Sequence, residues 1–230
     1  MKTIGLLGGM SWESTLEYYR LINLEVKRQL GGSHSAKILM YSFDYHELEI
    51  LLEQNKWDEI TQQLVNHGKK LKESGAEILL ICANTMHIVA DEVEKQVGIP
   101  LIHIAKATLN QVKYLDLTNV LLVGTIYTMK STLYPNIFSH QDVSVIVPDI
   151  RDQAMIHRTI YHELILGIFS NESKVKFIEV INKAKLKGIQ GVILGCTEIP
   201  MLIRQQDLDI PLFNTMEIQV KAAVDFSLND

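Results

Sequence analysis

This chain says nearly the same thing twice. Gly75-Ala76-Glu77-Ile78-Leu79-Leu80-Ile81-Cys82-Ala83 recurs as Gly188-Ile189-Gln190-Gly191-Val192-Ile193-Leu194-Gly195-Cys196. In each copy a glycine of the kind that ends helices stands eight positions before the residue leaving a buried apolar strand. Ile4-Gly5-Leu6-Leu7-Gly8 pairs with Val120-Leu121-Leu122-Val123-Gly124 at an offset of 116, and Ile99-Pro100-Leu101 with Ile210-Pro211-Leu212 at 111. Tyr45-His46-Glu47-Leu48 recurs as Tyr161-His162-Glu163-Leu164, again at 116, while the two glycines differ by 113. Ordered landmarks at a nearly constant offset indicate a duplicated half, and hence two similar α/β lobes.

Short β-rich runs alternate with longer helical patterns, which predicts βαβ units, mainly parallel sheets and helices on both faces. Strands are expected at Thr3–Leu7, Ala36–Ser42, Ile78–Cys82, Leu101–Ile104, Val120–Val123, Val143–Val147, Val192–Leu194 and Leu212–Phe213. Helices are expected near 13–30, 56–74, 88–96, 105–114, 151–168, 172–187 and 216–227, the first capped by Ser11 or Ser14. The N-terminal lobe is placed at 1–114, joined by the C-terminal helix of 211–230, and the C-terminal lobe at 115–210. The two pseudo-symmetric lobes are expected to flank the active-site cleft.

Composition removes several partners. A net charge of −5 with 22 scattered Lys and Arg gives no reason to expect nucleic acid or an anionic membrane surface. No apolar run approaches the roughly 18–20 residues that a membrane span needs. The start, Met1 to Met10, is read as a first strand and not as a signal peptide. Two cysteines, each ending an apolar run, suit reduced thiols in a cytoplasmic protein.

Ligands of parallel α/β sheets bind beyond the carboxyl ends of the strands. Those ends carry Gly8-Gly9-Met10-Ser11, Ala83-Asn84-Thr85, Gly124-Thr125 and Cys196-Thr197-Glu198, small or polar groups where backbone amides can approach an anion. Small residues are also what any tight βα turn requires. Cys196 precedes Thr-Glu-Ile-Pro, a helix start whose amides would lower the thiol pKa from about 8.5; the alternative is a buried, inert cysteine. Cys82 aligns with Gly195 and is read as structural. His87 is read as a helix-face histidine, with orientation of a neighbour as the alternative, and His103 as the end of a strand. The glycine loop fits neither G-x-G-x-x-G nor a Walker motif, and the eight histidines show no metal-binding spacing.

The stretch Met1 to Thr15 (MKTIGLLGGMSWEST), with Cys82-Ala83-Asn84-Thr85-Met86-His87 and Gly195-Cys196-Thr197-Glu198-Ile199, resembles the aspartate/glutamate racemase family end to end. It looks closest to the branch acting on aspartate and glutamate. The resemblance implies a two-lobed α/β fold, no pyridoxal phosphate, no metal, a small acidic amino acid as substrate and a homodimer. One residue from each lobe then faces either side of the substrate Cα, a base on one face and an acid on the other. By resemblance Cys196 is one of the pair, Thr85 and Thr197 with nearby backbone amides hold carboxylate oxygens, and Asn84 is a further substrate-binding residue. Glu198 helps hold the ammonium group and Met10 borders the substrate.

At the second catalytic position stands Ala83, where the family has Cys or Thr, and a methyl can neither donate nor accept a proton. Cys82 is one position early, and a strand turns alternate side chains to opposite faces. Family members also carry a polar or basic residue near position 52 and another after the Gly167 turn, where this chain has Leu52 and Ile168. Three readings of Ala83 remain: an engineered change that silences one face, a natural one-sided enzyme, or a binder of acidic amino acids. A Cys-dependent isomerase or decarboxylase of the same superfamily is the further enzymatic alternative.

Overall fold

The computed structural model describes residues 1–229. The chain divides into two compact units, residues 1–103 with the segment from Gln219, and residues 104–218. The first unit contains β1 (Ile4–Gly8), α1 (Trp12–Leu30), β2 (Ile38–Ser42), α2 (Tyr45–Glu53), α3 (Trp57–Glu73), β3 (Ile78–Ile81) and α4 (Ala90–Val97). Its strands pair in parallel in the order β2-β1-β3, with Leu7 opposite both Tyr41 and Ile81. β1 and β3 are buried along their whole length, which is why they read as unbroken apolar runs. α1 covers them with Tyr18, Ile22 and Val26, one face of a 3.6-residue period.

The second unit contains α5 (Ile104–Tyr114), β4 (Asn119–Gly124), α6 (Ile126–Lys130), α7 (Leu133–Ser139), β5 (Ser144–Ile146), α8 (Ile150–His162), α9 (Asn171–Lys185), β6 (Gly191–Gly195), α10 (Ile199–Leu202) and β7 (Leu212–Asn214). α11 (Thr215–Leu228) begins there and continues into the first unit. The parallel sheet runs β5-β4-β6-β7. Side-chain alternation sorts its two faces. Leu121, Val123, Val192 and Leu194 join one core with Ile156, Phe177 and Ile181 of α8 and α9. Val120, Leu122 and Ile193 join the other with Leu109 and Phe138 of α5 and α7. Among the described residues no helix is long and apolar enough to cross a membrane.

The echo is topological. Leu7 partners Ile81 in one sheet and Val123 partners Leu194 in the other, so the offsets of 116 and 113 hold along paired strands. Pro100 O accepts from Leu79 N at 2.8 Å, and Pro211 O from Val192 N at 2.9 Å. Gly75 and Gly188 end α3 and α9 with φ of 103° and 85°. In each case the glycine and its successor donate backward to the last turn, Gly75 to Lys72 and Ala76 to Leu71, Gly188 to Lys185 and Ile189 to Ala184.

Several expectations are corrected. The Leu101–Ile104 strand reduces to one bridge, Leu79 with Leu101, because α5 already begins at Ile104. The Tyr-His-Glu-Leu echo is out of register: the first copy opens α2, whereas the second closes α8. The residues that do correspond are Asp44 and Asp149, which cap α2 and α8. The helix expected to reach 168 stops at His162, where the Glu163 carboxylate accepts from Ser170 Oγ at 3.2 Å and Ser173 Oγ at 2.5 Å at the start of α9. The helix expected at 88–96 is a 3-10 turn, Thr85–Val89, followed by α4. Helices α2, α6 and α7 were not expected at all.

The turn leaving β1 is held by close backbone approach. Gly9 has φ of 85°, and a Cβ there would lie 2.2 Å from Phe43 O. At Gly188, with the same φ, nothing lies within 4 Å. Gly188→Ala should therefore cost about 1 kcal/mol of backbone strain. Gly9→Ala should cost about 2–4 kcal/mol, since the backbone must also shift. Urea unfolding of the two variants against the parent chain checks this; equal losses would show that the close approach at Gly9 is unimportant.

Candidate active site

In the first unit, β1 passes into Gly9-Met10-Ser11 and then α1. Gly9 N donates to Thr15 Oγ1 at 2.8 Å, and Thr15 Oγ1 donates to Ser11 O at 2.8 Å. Ser11 is the N-cap of α1, its Oγ accepting from Ser14 N at 3.2 Å. The Met10–Ser11 peptide is cis, and Met10 is buried. Beside it, Cys82 N donates to Leu7 O at 2.9 Å, extending the β1–β3 pairing by one residue. Because the two strands are neighbours, Met10 and Ala83 leave from adjacent strand ends.

Strand alternation then separates Cys82 from Ala83. Cys82 is fully buried, and loss of hydration pushes its thiol far above the ordinary range. Ala83 and Thr85 are partly exposed and Asn84 is buried, the three forming one turn into Thr85–Val89. His87 supports that turn. Its Nδ1 lies 2.8 Å from Ala83 O, and its backbone N donates to Asn84 O at 3.0 Å. His87 thus lies on a short 3-10 helix, as a helix-face residue, with its ring buried against the backbone of Ala83. Its ring is further engaged by Gln219, and Gln219 by Tyr18, partners that sequence reasoning did not single out.

In the second unit, β4 ends at Gly124 and Thr125 caps α6, accepting from Thr128 N at 3.3 Å. β6 ends at Gly195, and Cys196 continues the parity of Val192 and Leu194 into the core beside α8 and α9. Cys196, Thr197 and Glu198 come together on one turn. Cys196 Sγ donates to Glu198 Oε2 at 2.9 Å, and Thr197 Oγ1 donates to the same oxygen at 2.8 Å. Cys196 is 7% exposed and Glu198 4%.

The thiol is correspondingly hard to ionise, against the expectation of a lowered pKa. Burial raises it most, and the charge of Glu198 and its hydrogen bond raise it further. Amides of Thr197 and Glu198 pull the other way. Their effect is smaller than that of burial and of Glu198. A helix terminus contributes about 0.3–1 kcal/mol, under one pKa unit, whereas full burial can shift a group by about 3–5 units. Cys196 rests as a thiol whose proton already points at a carboxylate oxygen.

Ala83 and Cys196 occupy equivalent places, each two residues beyond a register pair, Leu7 with Ile81 and Val123 with Leu194. Of the two positions near which the family carries polar side chains, Leu52 is buried on α2 and Ile168 is exposed.

A chain of this topology and these strand-end residues has relatives. It is 20% identical over 231 residues to the broad specificity amino-acid racemase RacX of Bacillus subtilis, covering 96% of each chain. Among solved structures it is similar to a Yersinia pestis protein assigned provisionally to the Asp/Glu racemases, with 47% identity, a TM-score of 0.94 and full coverage of both chains. An aspartate racemase homologue from Pyrococcus horikoshii matches at 31% identity and a TM-score of 0.87, again over both full chains. The Asp/Glu/hydantoin racemase family model matches residues 7–223, and the chain belongs to that family.

Proposed function

We propose that this protein acts at the Cα of an acidic amino acid, aspartate or glutamate, as a racemase-type enzyme that uses no pyridoxal phosphate. In this reading it works as a cytoplasmic homodimer. Cys196 transfers the proton on one face of the substrate, and residue 83 stands on the other, where the Ala83 methyl is chemically silent. The observation that carries the reading is the Cys196 thiol at a strand end, 2.9 Å from a buried carboxylate.

The proton path follows from that contact. The thiol proton passes to Glu198 Oε2, leaving a thiolate. The thiolate removes the Cα proton, and the freed electron pair moves into the substrate carboxylate as an enediolate. Hydroxyls of Thr197 and Thr85, with nearby amides and Asn84, stabilise the charge that develops there. Met10 borders the bound substrate. The substrate ammonium offsets the single negative charge, carried first by Glu198 and then by the new thiolate, a balance the buried site cannot reach alone. Return of the proton from Cys196 regenerates the starting enantiomer, whereas inversion needs a donor on the opposite face. Ala83 also favours a second reading, a binder of acidic amino acids that performs no proton transfer.

Restoring a proton-bearing side chain should restore two-sided chemistry. Ala83→Thr or Ala83→Cys should raise racemisation of aspartate or glutamate by about 10²-fold or more, the usual contribution of a general acid or base. Adding Cys196→Ser to either should abolish it. Chiral chromatography of the amino acid checks both; if neither Ala83 variant gains activity, the assignment of position 83 fails.

The Glu198 role has its own signature. Alkylation of Cys196 by iodoacetamide, followed by peptide mass, should show a pH midpoint above the ordinary thiol value of about 8.5. Glu198→Gln should move the midpoint downward, because the carboxylate charge that opposes the thiolate is gone. An unchanged or higher midpoint would contradict the proton path.

A further inference from the structure

A buried polar chain runs through the first unit and ends on the backbone of residue 83. Tyr18, His87 and Gln219 are 0%, 1% and 0% exposed. Tyr18 Oη donates to Gln219 Oε1 at 2.5 Å. Gln219 Nε2 donates to Ile102 O at 2.6 Å and lies 3.1 Å from His87 Nε2, and His87 Nδ1 lies 2.8 Å from Ala83 O.

The directions of these bonds are determined by chemistry. Ile102 O only accepts, so the amide nitrogen of Gln219, not its oxygen, must face it; this removes the usual ambiguity of an amide flip. That nitrogen only donates, so His87 Nε2 is a bare acceptor. Ala83 O only accepts, so His87 Nδ1 carries the hydrogen. One neutral tautomer satisfies all three groups. Burial, assisted by the adjacent His103 ring at 5.1 Å, lowers the His87 pKa to about 3, in keeping with that neutral state.

Stability alone does not call for such a chain, because apolar side chains of like shape are nearly neutral replacements for a buried hydrogen-bonded set. Its distinguishing feature is its end point. We propose that His87, held in the Nδ1–H form by Gln219 and Tyr18, is a positioning residue that sets the turn 83–85 and aims the side chain at position 83. The chain keeps this device although the side chain it aims is a methyl. The inference rests on the proposed function for what position 83 does, and its geometry stands independently.

The test uses the full-length chain. In ¹⁵N-histidine spectra of the parent protein, His87 should show a protonated Nδ1 and an unprotonated Nε2. In the Ala83→Thr background, His87→Asn places an amide N–H near the Nδ1 position, whereas His87→Gln reaches toward Gln219 and leaves Ala83 O without its donor. His87→Gln should lower kcat about 10–100-fold with KM changed less than about twofold, since a misplacement of order 1 Å costs about 10²-fold. His87→Asn should keep kcat within about threefold of the Ala83→Thr parent. Backbone amide shifts at 84 and 85 should move in His87→Gln and return in His87→Asn. An Nε2–H tautomer, or equal kcat losses in the two variants, would overturn the proposal. If Ala83→Thr itself shows no turnover, the proposed function fails, and the tautomer with the amide shifts still decides the positioning role.

Discussion

Successive side chains of a β-strand turn to opposite faces, and in this protein that one-residue step sets Ala83 and Cys196 apart from Cys82 and Gly195. Along β6 and beyond, Val192, Leu194 and Cys196 share one parity and Ile193 the other. Along β3 the same step leaves Cys82 fully buried and brings Ala83 partly into the open. A thiol at 82 therefore does not substitute for one at 83. The duplicated topology makes the comparison sharp, because register partners in the two sheets put Ala83 and Cys196 at matching positions. In the proposed reading one half carries a proton-transfer group, and the other carries the frame for one.

Burial gives the Cys196 thiol its character. A thiol 7% exposed beside a carboxylate 4% exposed does not ionise readily, and the contact between them is a hydrogen bond from the thiol to Glu198 Oε2. The amides of Thr197 and Glu198 are too weak to reverse this. An isolated thiolate would be costly in such surroundings, so in the proposed reading a cationic group on the substrate is part of the site's charge balance. An amino acid brings one with it. In the proposed reading electrostatics and substrate class are thus linked at Cys196 and Glu198.

Much of the fold could be read from residue order, since unbroken apolar runs ending in glycine announce buried parallel strands. What escaped were features decided by packing or by distant partners. α6 and α7 span only five and seven residues, and α7 carries Pro135 in its first turn; Met129, Tyr134 and Phe138 hold them by burial. α2 spans nine residues, and its one clear signal was the Asp44 cap, echoed by Asp149 at an offset of 105 that the other landmarks did not suggest. The Tyr-His-Glu-Leu match shows the converse, a recurrence without structural meaning. In the candidate site, adjacent residues such as Cys196 and Glu198 were legible. The Tyr18–Gln219–His87 chain was not, because its members lie up to 201 positions apart and meet only after folding.

The central claim is that Cys196 exchanges a proton with substrate Cα on one face while Ala83 leaves the other face without a partner. Incubation of each enantiomer of aspartate and glutamate with the unmodified protein in D₂O measures this directly. The account predicts deuterium entering Cα of one enantiomer, with little conversion to its mirror image, and loss of that exchange in Cys196→Ser. Bound amino acid that gains no deuterium in either enantiomer, or exchange that survives Cys196→Ser, would contradict it.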